Sequence, residues 1–104
     1  MIQVVITEKE LWFESQASGK RYSIQCADHP QVFGHPRHLM VDLESARPLL
    51  TAAMKQVAGF SLLPPSVEIR IERAMAGGLA DVDYQVAKHF FTYAGAKKVQ
   101  IHVG

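Results

Sequence analysis

Four side chains that could bind a metal ion fall within one short stretch of the sequence. Cys26, His29, His35 and His38 supply one thiol and three imidazoles, and zinc is held tetrahedrally by such ligands. Their spacing does not follow an established zinc motif, and a buried cysteine followed by loop histidines explains the same residues. We therefore predict that the protein holds no metal or other cofactor. Binding of a small ligand or a metal ion by the 26–38 loop is kept as the alternative to the function predicted below.

Residues that could support catalysis or phosphate binding are also scattered along the chain. Gly77-Gly78 precedes a predicted helix and could approach a phosphate, but Asp81 and Asp83 stand where the anion would bind. No Ser/His/acid or Cys/His arrangement has the sequence context of an activated nucleophile. His89 and His102 fit surface positions on a helix and a strand. We therefore predict that the protein is not an enzyme.

Length and composition exclude several classes of protein. The chain has 104 residues, of which 48% are hydrophobic and 20% charged, which is typical of one globular domain. A net charge of +1 gives no electrostatic signature for nucleic acid or anionic lipid. The single cysteine favours a reducing, cytoplasmic setting. Because the first residues read as a strand and no long apolar run occurs, we expect neither a signal peptide nor membrane insertion.

Three strands with short connections are predicted at the start of the chain. Residues 2–7 are rich in β-branched side chains, residues 10–16 contain a Leu-Trp-Phe run, and residues 20–26 alternate between apolar and polar. The turn between the second and third strands is expected at Ser18-Gly19-Lys20. Such closely spaced strands form an antiparallel meander.

A helix and a strand are predicted in the middle of the chain. Residues 27–41 contain Pro30, Gly34 and Pro36 and indicate an irregular connection. Asp42 or Ser45 would cap the helix, with Pro48 expected in its first turn. The helix would end at Gly59, and its buried face would comprise Leu49, Leu50, Ala53, Met54 and Val57. The fourth strand would run from Val67 to Glu72.

The last part of the chain predicts a second helix and a final strand. The helix would span residues 80–94 and end at Gly95, with a buried face of Val82, Val86, Phe90 and Tyr93 or Ala94. The final strand would run from Lys98 to Val103. The element order β-β-β-α-β-α-β corresponds to a mixed five-stranded sheet in the order 3-2-1-4-5, the ribonuclease-H-like half-fold. Right-handed crossovers then place both helices on one face.

The other face of this sheet is predicted to be uncovered. The fourth and fifth strands alternate strictly between apolar and polar residues, whereas a parallel sheet covered on both sides has continuous apolar strands. Val5 and Trp12 are the expected apolar exceptions on this face, with Arg70 and His102 beside them. We predict these four residues as an interaction surface, and the fifth strand as an edge that could extend a partner's sheet.

The sequence from Asp42 to Val103 resembles the first actin-like subdomain of the MreB family, the rod shape-determining proteins of bacteria. The resemblance rests on the helical segment Ala53-Met54-Lys55-Gln56-Val57, the approach Leu63-Pro-Pro-Ser-Val67, and the segment Ala94-Gly-Ala-Lys-Lys-Val99. The meander fits the same subdomain, so residues 1–104 would be one MreB-like subdomain. The resemblance implies an actin-like fold and a role in the cytoskeleton and cell shape.

The motifs that bind ATP in this family are missing. The first phosphate loop should contain an acidic residue and a glycine, but this region reads Gln3-Val-Val-Ile-Thr-Glu-Lys-Glu10. Glu8 and Glu10 would repel phosphate, so no ATP binding is expected. Asp83 lies near the family's water-activating glutamate and is interpreted as a helix N-terminal charge. The resemblance thus implies a non-catalytic module that binds a protein, either an MreB-type filament or a second copy.

Overall fold

The computed structural model describes residues 1–35, 38–58, 64–72 and 81–102. Its five strands are β1 (Ile2–Ile6), β2 (Glu10–Ser15), β3 (Arg21–Gln25), β4 (Ser66–Ile71) and β5 (Lys98–His102). They form one sheet in the order β3-β2-β1-β4-β5. The first three strands pair antiparallel, whereas β1, β4 and β5 pair parallel. The predicted α/β class and strand order are confirmed.

Two long helices cover one face of this sheet. The helices are the single-turn α1 (Pro30–Phe33), α2 (Leu43–Ala58) and α3 (Asp81–Tyr93), and no described helix is long and apolar enough to cross a membrane. Alternate strand residues point towards α2 and α3, where Phe13 of β2 meets Phe91 of α3 with 6.0 Å between ring centroids. The strands contribute these fully buried side chains to the core: Val4, Ile6, Leu11, Phe13, Val67 and Ile69.

The connection after β3 is more regular than predicted. A 3-10 turn spans Cys26–Asp28, and α1 begins at Pro30, whose fixed φ suits the first position of a helix. Val32 and Phe33 of α1 are buried in the core. The prediction of an irregular connection was therefore wrong for residues 26–33. Pro30 had suggested irregular structure, but burial of Val32 and Phe33 stabilises a helical turn here.

Helix α2 follows the prediction except at Pro48. Asp42 is the cap: its carboxylate accepts a hydrogen bond from the Ser45 N–H at 3.3 Å, and its carbonyl accepts one from the Ala46 N–H at 2.9 Å. Because α2 begins at Leu43, Pro48 lies beyond the first turn, inside the helix, and its expected position was wrong. The predicted Gly59 stop lies outside the described residues. The buried face comprises Ala46, Leu50, Ala53, Met54 and Val57, with Leu49 partly buried.

The predicted buried face of helix α3 is confirmed at Phe90 and Ala94, and Val86 is partly buried, but the rest of the face differs. Val82 was expected in the core but is 55% exposed, and of the two alternatives at the end of the helix Ala94 is buried whereas Tyr93 is 37% exposed. The buried residues are Asp83, Ala87, Phe90 and Phe91, followed by Ala94. The face is turned by one residue because Phe91 packs on Phe13 of the sheet. Asp83 lies in the first turn of α3, as predicted for a helix N-terminal charge, but it is buried.

Helix α3 ends at Tyr93, and the predicted stop, Gly95, lies in the turn that follows. Gly95 has a φ of +111°, a conformation that side chains disfavour. The Gly95 N–H donates to the Thr92 carbonyl at 3.1 Å, and the Ala96 N–H donates to the Phe91 carbonyl at 3.0 Å. These two bonds form a Schellman motif, which satisfies carbonyls at the helix end. Gly77-Gly78 and Val103 lie outside the described residues.

A polar contact joins α2 and α3 at the surface. The Tyr93 hydroxyl donates a hydrogen bond to Glu44 Oε1 at 2.6 Å, and the Arg47 guanidinium lies 5.0 Å from the centroid of the same ring. The Thr51 hydroxyl donates to the Ala94 carbonyl at 2.9 Å. The hydrogen bond to Glu44 and the negative charge of that carboxylate raise the pKa of the Tyr93 phenol above its ordinary value.

This contact predicts a titration that can be assigned to Tyr93. A raised phenol pKa means that the folded state holds the proton more tightly than the unfolded state, so the contribution to stability is complete below pH about 10 and is lost as the pH rises through the folded-state value. In an ultraviolet absorbance titration, Tyr93→Phe should remove the tyrosine that ionises late, and Glu44→Gln should move that ionisation to lower pH. Loss of an early-ionising tyrosine in Tyr93→Phe would contradict the prediction.

Candidate functional site

The sheet has one face that no described helix covers, which we call the open face. The residues that alternate with the buried ones point towards it, because successive strand side chains lie on opposite faces. Most of these residues are polar or charged. The open face comprises Gln3, Val5, Glu10, Trp12, Glu14, Arg21, Ser23, Gln25, Ser66, Glu68, Arg70, Lys98, Gln100 and His102.

The strand register brings all four predicted surface residues together. Val5 of β1 pairs with Trp12 of β2 on one side and with Arg70 of β4 on the other. Arg70 pairs in turn with His102 of β5, and Trp12 pairs with Ser23 of β3. These five residues form a continuous row across the sheet, which we call the central row. Neighbouring members are separated by one strand spacing of about 4.8 Å.

Two pairs of ionisable side chains lie in or beside the central row. Arg21 Nε lies 3.4 Å from Glu14 Oε1, and its guanidinium lies 5.5 Å from the centroid of the Trp12 ring. At the other end of the row, His102 Nε2 lies 2.8 Å from Glu68 Oε1. The His102 side chain is 58% exposed, and such exposed pairs contribute only about 0–1 kcal/mol to stability. One pair lies next to Trp12 and the other next to Arg70.

A shallow concavity occupies the middle of the open face. Its volume is about 370 Å³. Half-buried Val5 and Trp12 supply its apolar surface, whereas the exposed Arg70 supplies a cation. The complete lining is Gln3, Val4, Val5, Trp12, Glu68, Arg70 and His102. An apolar centre with a polar surround is the common anatomy of a protein–protein contact.

The turn that would correspond to the first phosphate loop is built differently. The Thr7 hydroxyl accepts hydrogen bonds from the N–H groups of Lys9 and Glu10, at 3.3 and 3.1 Å. Two N–H groups of the turn therefore already have a partner. Glu8, Glu10 and Glu72 line the neighbouring concavity together with Lys9. Several carboxylates around a turn oppose the binding of a phosphate.

The four candidate metal ligands do not form a site among the described residues. Cys26 is buried in the 3-10 turn, and α1 separates it from His35 in the sequence. The His35 and His38 rings do lie close together, with 4.5 Å between centroids. In the part of the chain that the structure describes, no three His, Cys, Asp or Glu side chains are placed to hold one metal ion. Metal binding by this loop therefore has no ligand set among the described residues to support it.

Several open-face residues were missing from the prediction. Gln3 and Glu68 line the concavity, and Arg21 and Glu14 flank Trp12. Their alternation with buried residues places them on this face and is visible in the sequence. Their pairing follows from the register, which alternation alone does not give.

Comparison with protein-family models, curated proteins and solved structures gave no match. The likeness to the MreB family therefore stays a prediction that rests on the three segments quoted above.

Proposed function

We propose that this domain is a non-catalytic protein-interaction module that binds its partner through the open face of its sheet. The observation that carries the proposal is the central row, in which Trp12 and Val5 lie side by side on a face that no described helix covers. Tryptophan and arginine are the residues most often responsible for binding energy at protein interfaces. Arg70, directly beside Val5, adds the second of these residue types.

The size of the open face favours a transient partner. Five strands of five or six residues span roughly 24 Å by 17 Å, or about 400 Å² on each partner. That area is below the range of stable complexes and suits a weak contact, since obligate homodimers bury about 2,000 Å² or more in total. A transient contact also leaves the open face in water for part of the time, and the charged pair beside Trp12 is well solvated there.

We further propose that the partner belongs to the bacterial MreB cytoskeleton and that the domain acts in the cytoplasm. The sequence segments that resemble MreB support this assignment, and so does the strand order that the resemblance implied. The acidic turn at Thr7–Glu10 supports a module that does not itself bind ATP. Among the two partners that the sequence suggested, the small area of the open face favours a filament over a second copy.

Co-sedimentation with a purified MreB-type filament protein, assembled with ATP, tests both parts of the proposal. The wild-type domain should pellet with the filaments, and Trp12→Ala should weaken this binding about 30-fold, as expected when a central aromatic is lost. Tyr22→Ala is the matched control, because Tyr22 is an exposed aromatic on β3 whose side chain points away from the open face.

Two outcomes would contradict the proposal in different ways. If the wild-type domain does not pellet, the MreB-type partner is wrong. If Trp12→Ala pellets as well as the wild-type domain does, the open face is not the contact surface.

A further inference from the structure

The basic side chains of the open face differ in whether they already have an acidic partner. Arg21 lies near Glu14, and His102 lies near Glu68. No carboxylate among the described residues lies within ion-pair distance of the Arg70 guanidinium. Lys98 has no such carboxylate either, but it lies at a corner of the sheet opposite Ser66. Arg70 is therefore the central cation of the open face, and its guanidinium is available to an external anion.

The surroundings of Arg70 suit a carboxylate that arrives with an apolar group. Arg70 lines the central concavity together with Val5 and Trp12. Trp12 lies two strands away in the same row, at about 10 Å. A planar guanidinium matches a carboxylate through two parallel hydrogen bonds, and an aromatic ring packs against an apolar side chain. One short segment that carries both groups could therefore contact both residues.

The charges of the whole open face favour a protein over a nucleic acid. Its full cations are Arg21, Arg70 and Lys98, and its carboxylates are Glu10, Glu14 and Glu68. With His102 neutral, these charges balance. Nucleic-acid surfaces instead carry a clear excess of positive charge along the phosphate backbone. A balanced face whose one available central cation is Arg70 is complementary to a single acidic side chain.

We propose that the partner of the open face is an acidic peptide segment, which places an Asp or Glu carboxylate on Arg70 and an apolar side chain on Trp12 and Val5. This inference rests on the proposed function and names the chemistry of the partner. The geometry fixes the separation between the two contact groups of the segment, which is roughly 10 Å.

Two matched peptide arrays test the proposal. In the first array, every peptide carries one Phe or Leu and one Glu about three positions away, which spans roughly 10 Å in an extended chain. The second array is identical except that Gln replaces Glu. The wild-type domain should bind the Glu array about tenfold or more better than the Gln array, because a charge-assisted hydrogen bond is lost with Gln.

Variants of the domain assign this preference to one residue. Arg70→Gln should remove the preference for Glu, whereas Lys98→Gln, the matched control at the corner of the sheet, should retain it. Circular dichroism should show that both variants are folded. Equal binding of the two arrays by the wild-type domain would overturn the proposal, and so would a Glu preference that survives in Arg70→Gln.

The same experiment separates this inference from the proposed function. If Trp12→Ala weakens binding to both arrays but no Glu preference exists, the open face binds proteins and the acidic partner is wrong. If neither Trp12→Ala nor Arg70→Gln changes any binding, both proposals fail. Binding to a single-stranded oligonucleotide that depends on Arg70, without a Glu preference, would replace the acidic peptide by a nucleic acid.

Discussion

Replacing Phe13 by alanine should lower the free energy of unfolding by about 3–5 kcal/mol, the usual cost of truncating a fully buried phenylalanine. Phe13 has no exposed surface and lies in β2, which pairs on both sides with another strand. Its ring is 6.0 Å from that of Phe91, so the contact joins the sheet to α3. Because a domain of this size is typically stable by about 5–15 kcal/mol, the variant should lose a large fraction of its stability.

Tyr22→Ala is a closely matched control for this prediction. Tyr22 pairs directly with Phe13 across the β2–β3 ladder and points to the same face, but it lies on the edge strand and is 38% exposed. Its truncation should cost about 1 kcal/mol or less. Chemical denaturation of the two variants measures both values. Equal losses at the two positions would show that the core is not centred between the sheet and α3.

The sheet could be predicted from the sequence because its signals are local. Residues 2–7 and the strictly alternating fourth and fifth strands identify strands by composition and period, and handedness then limits how they connect. The observed strands end within one or two residues of the expected positions. The single turn of α1 was missed because Pro30 and Gly34 also occur in irregular connections.

The buried face of α3 was predicted only in part because two overlapping helical stripes both carry apolar residues. Val82 and Val86 share one helical stripe, and Ala87 and Phe91 share another that is turned by one residue. The first stripe looks more apolar, because the second begins with Asp83. The choice between them is made by tertiary packing against Phe13, which no local pattern contains.

The sequence placed four residues of the open face correctly, but it did not give their contacts with one another or with their neighbours. Alternation is enough to place Val5, Trp12, Arg70 and His102 on one face. It does not give the register of β5 against β4, which brings His102 beside Arg70 and Glu68. Since the two strands are joined by a long crossover, the length of the connection does not fix that register, and the availability of Arg70 becomes visible only in the structure.

Helix α2 provides the second large effect, because it contains a proline in its interior. Pro48 has no N–H to donate to the carbonyl of Glu44, and its ring crowds that carbonyl. Proline is about 3 kcal/mol less favourable than alanine inside a helix, and its restriction of the unfolded chain offsets about 0.4–1 kcal/mol of this difference. Pro48→Ala should therefore raise the free energy of unfolding by about 1–3 kcal/mol.

The reverse change one turn later is the matched control. Ala52 is exposed on the same helix and lines the same groove as Pro48, next to β3. Ala52→Pro should lower the free energy of unfolding by about 3 kcal/mol or more, because the helix loses a second hydrogen bond in the same region. Thermal and chemical unfolding of the two variants should move in opposite directions. If Pro48→Ala is instead destabilising, the proline ring stabilises the domain through the groove that it shares with Tyr22 and Leu49, and this packing outweighs the backbone hydrogen bond.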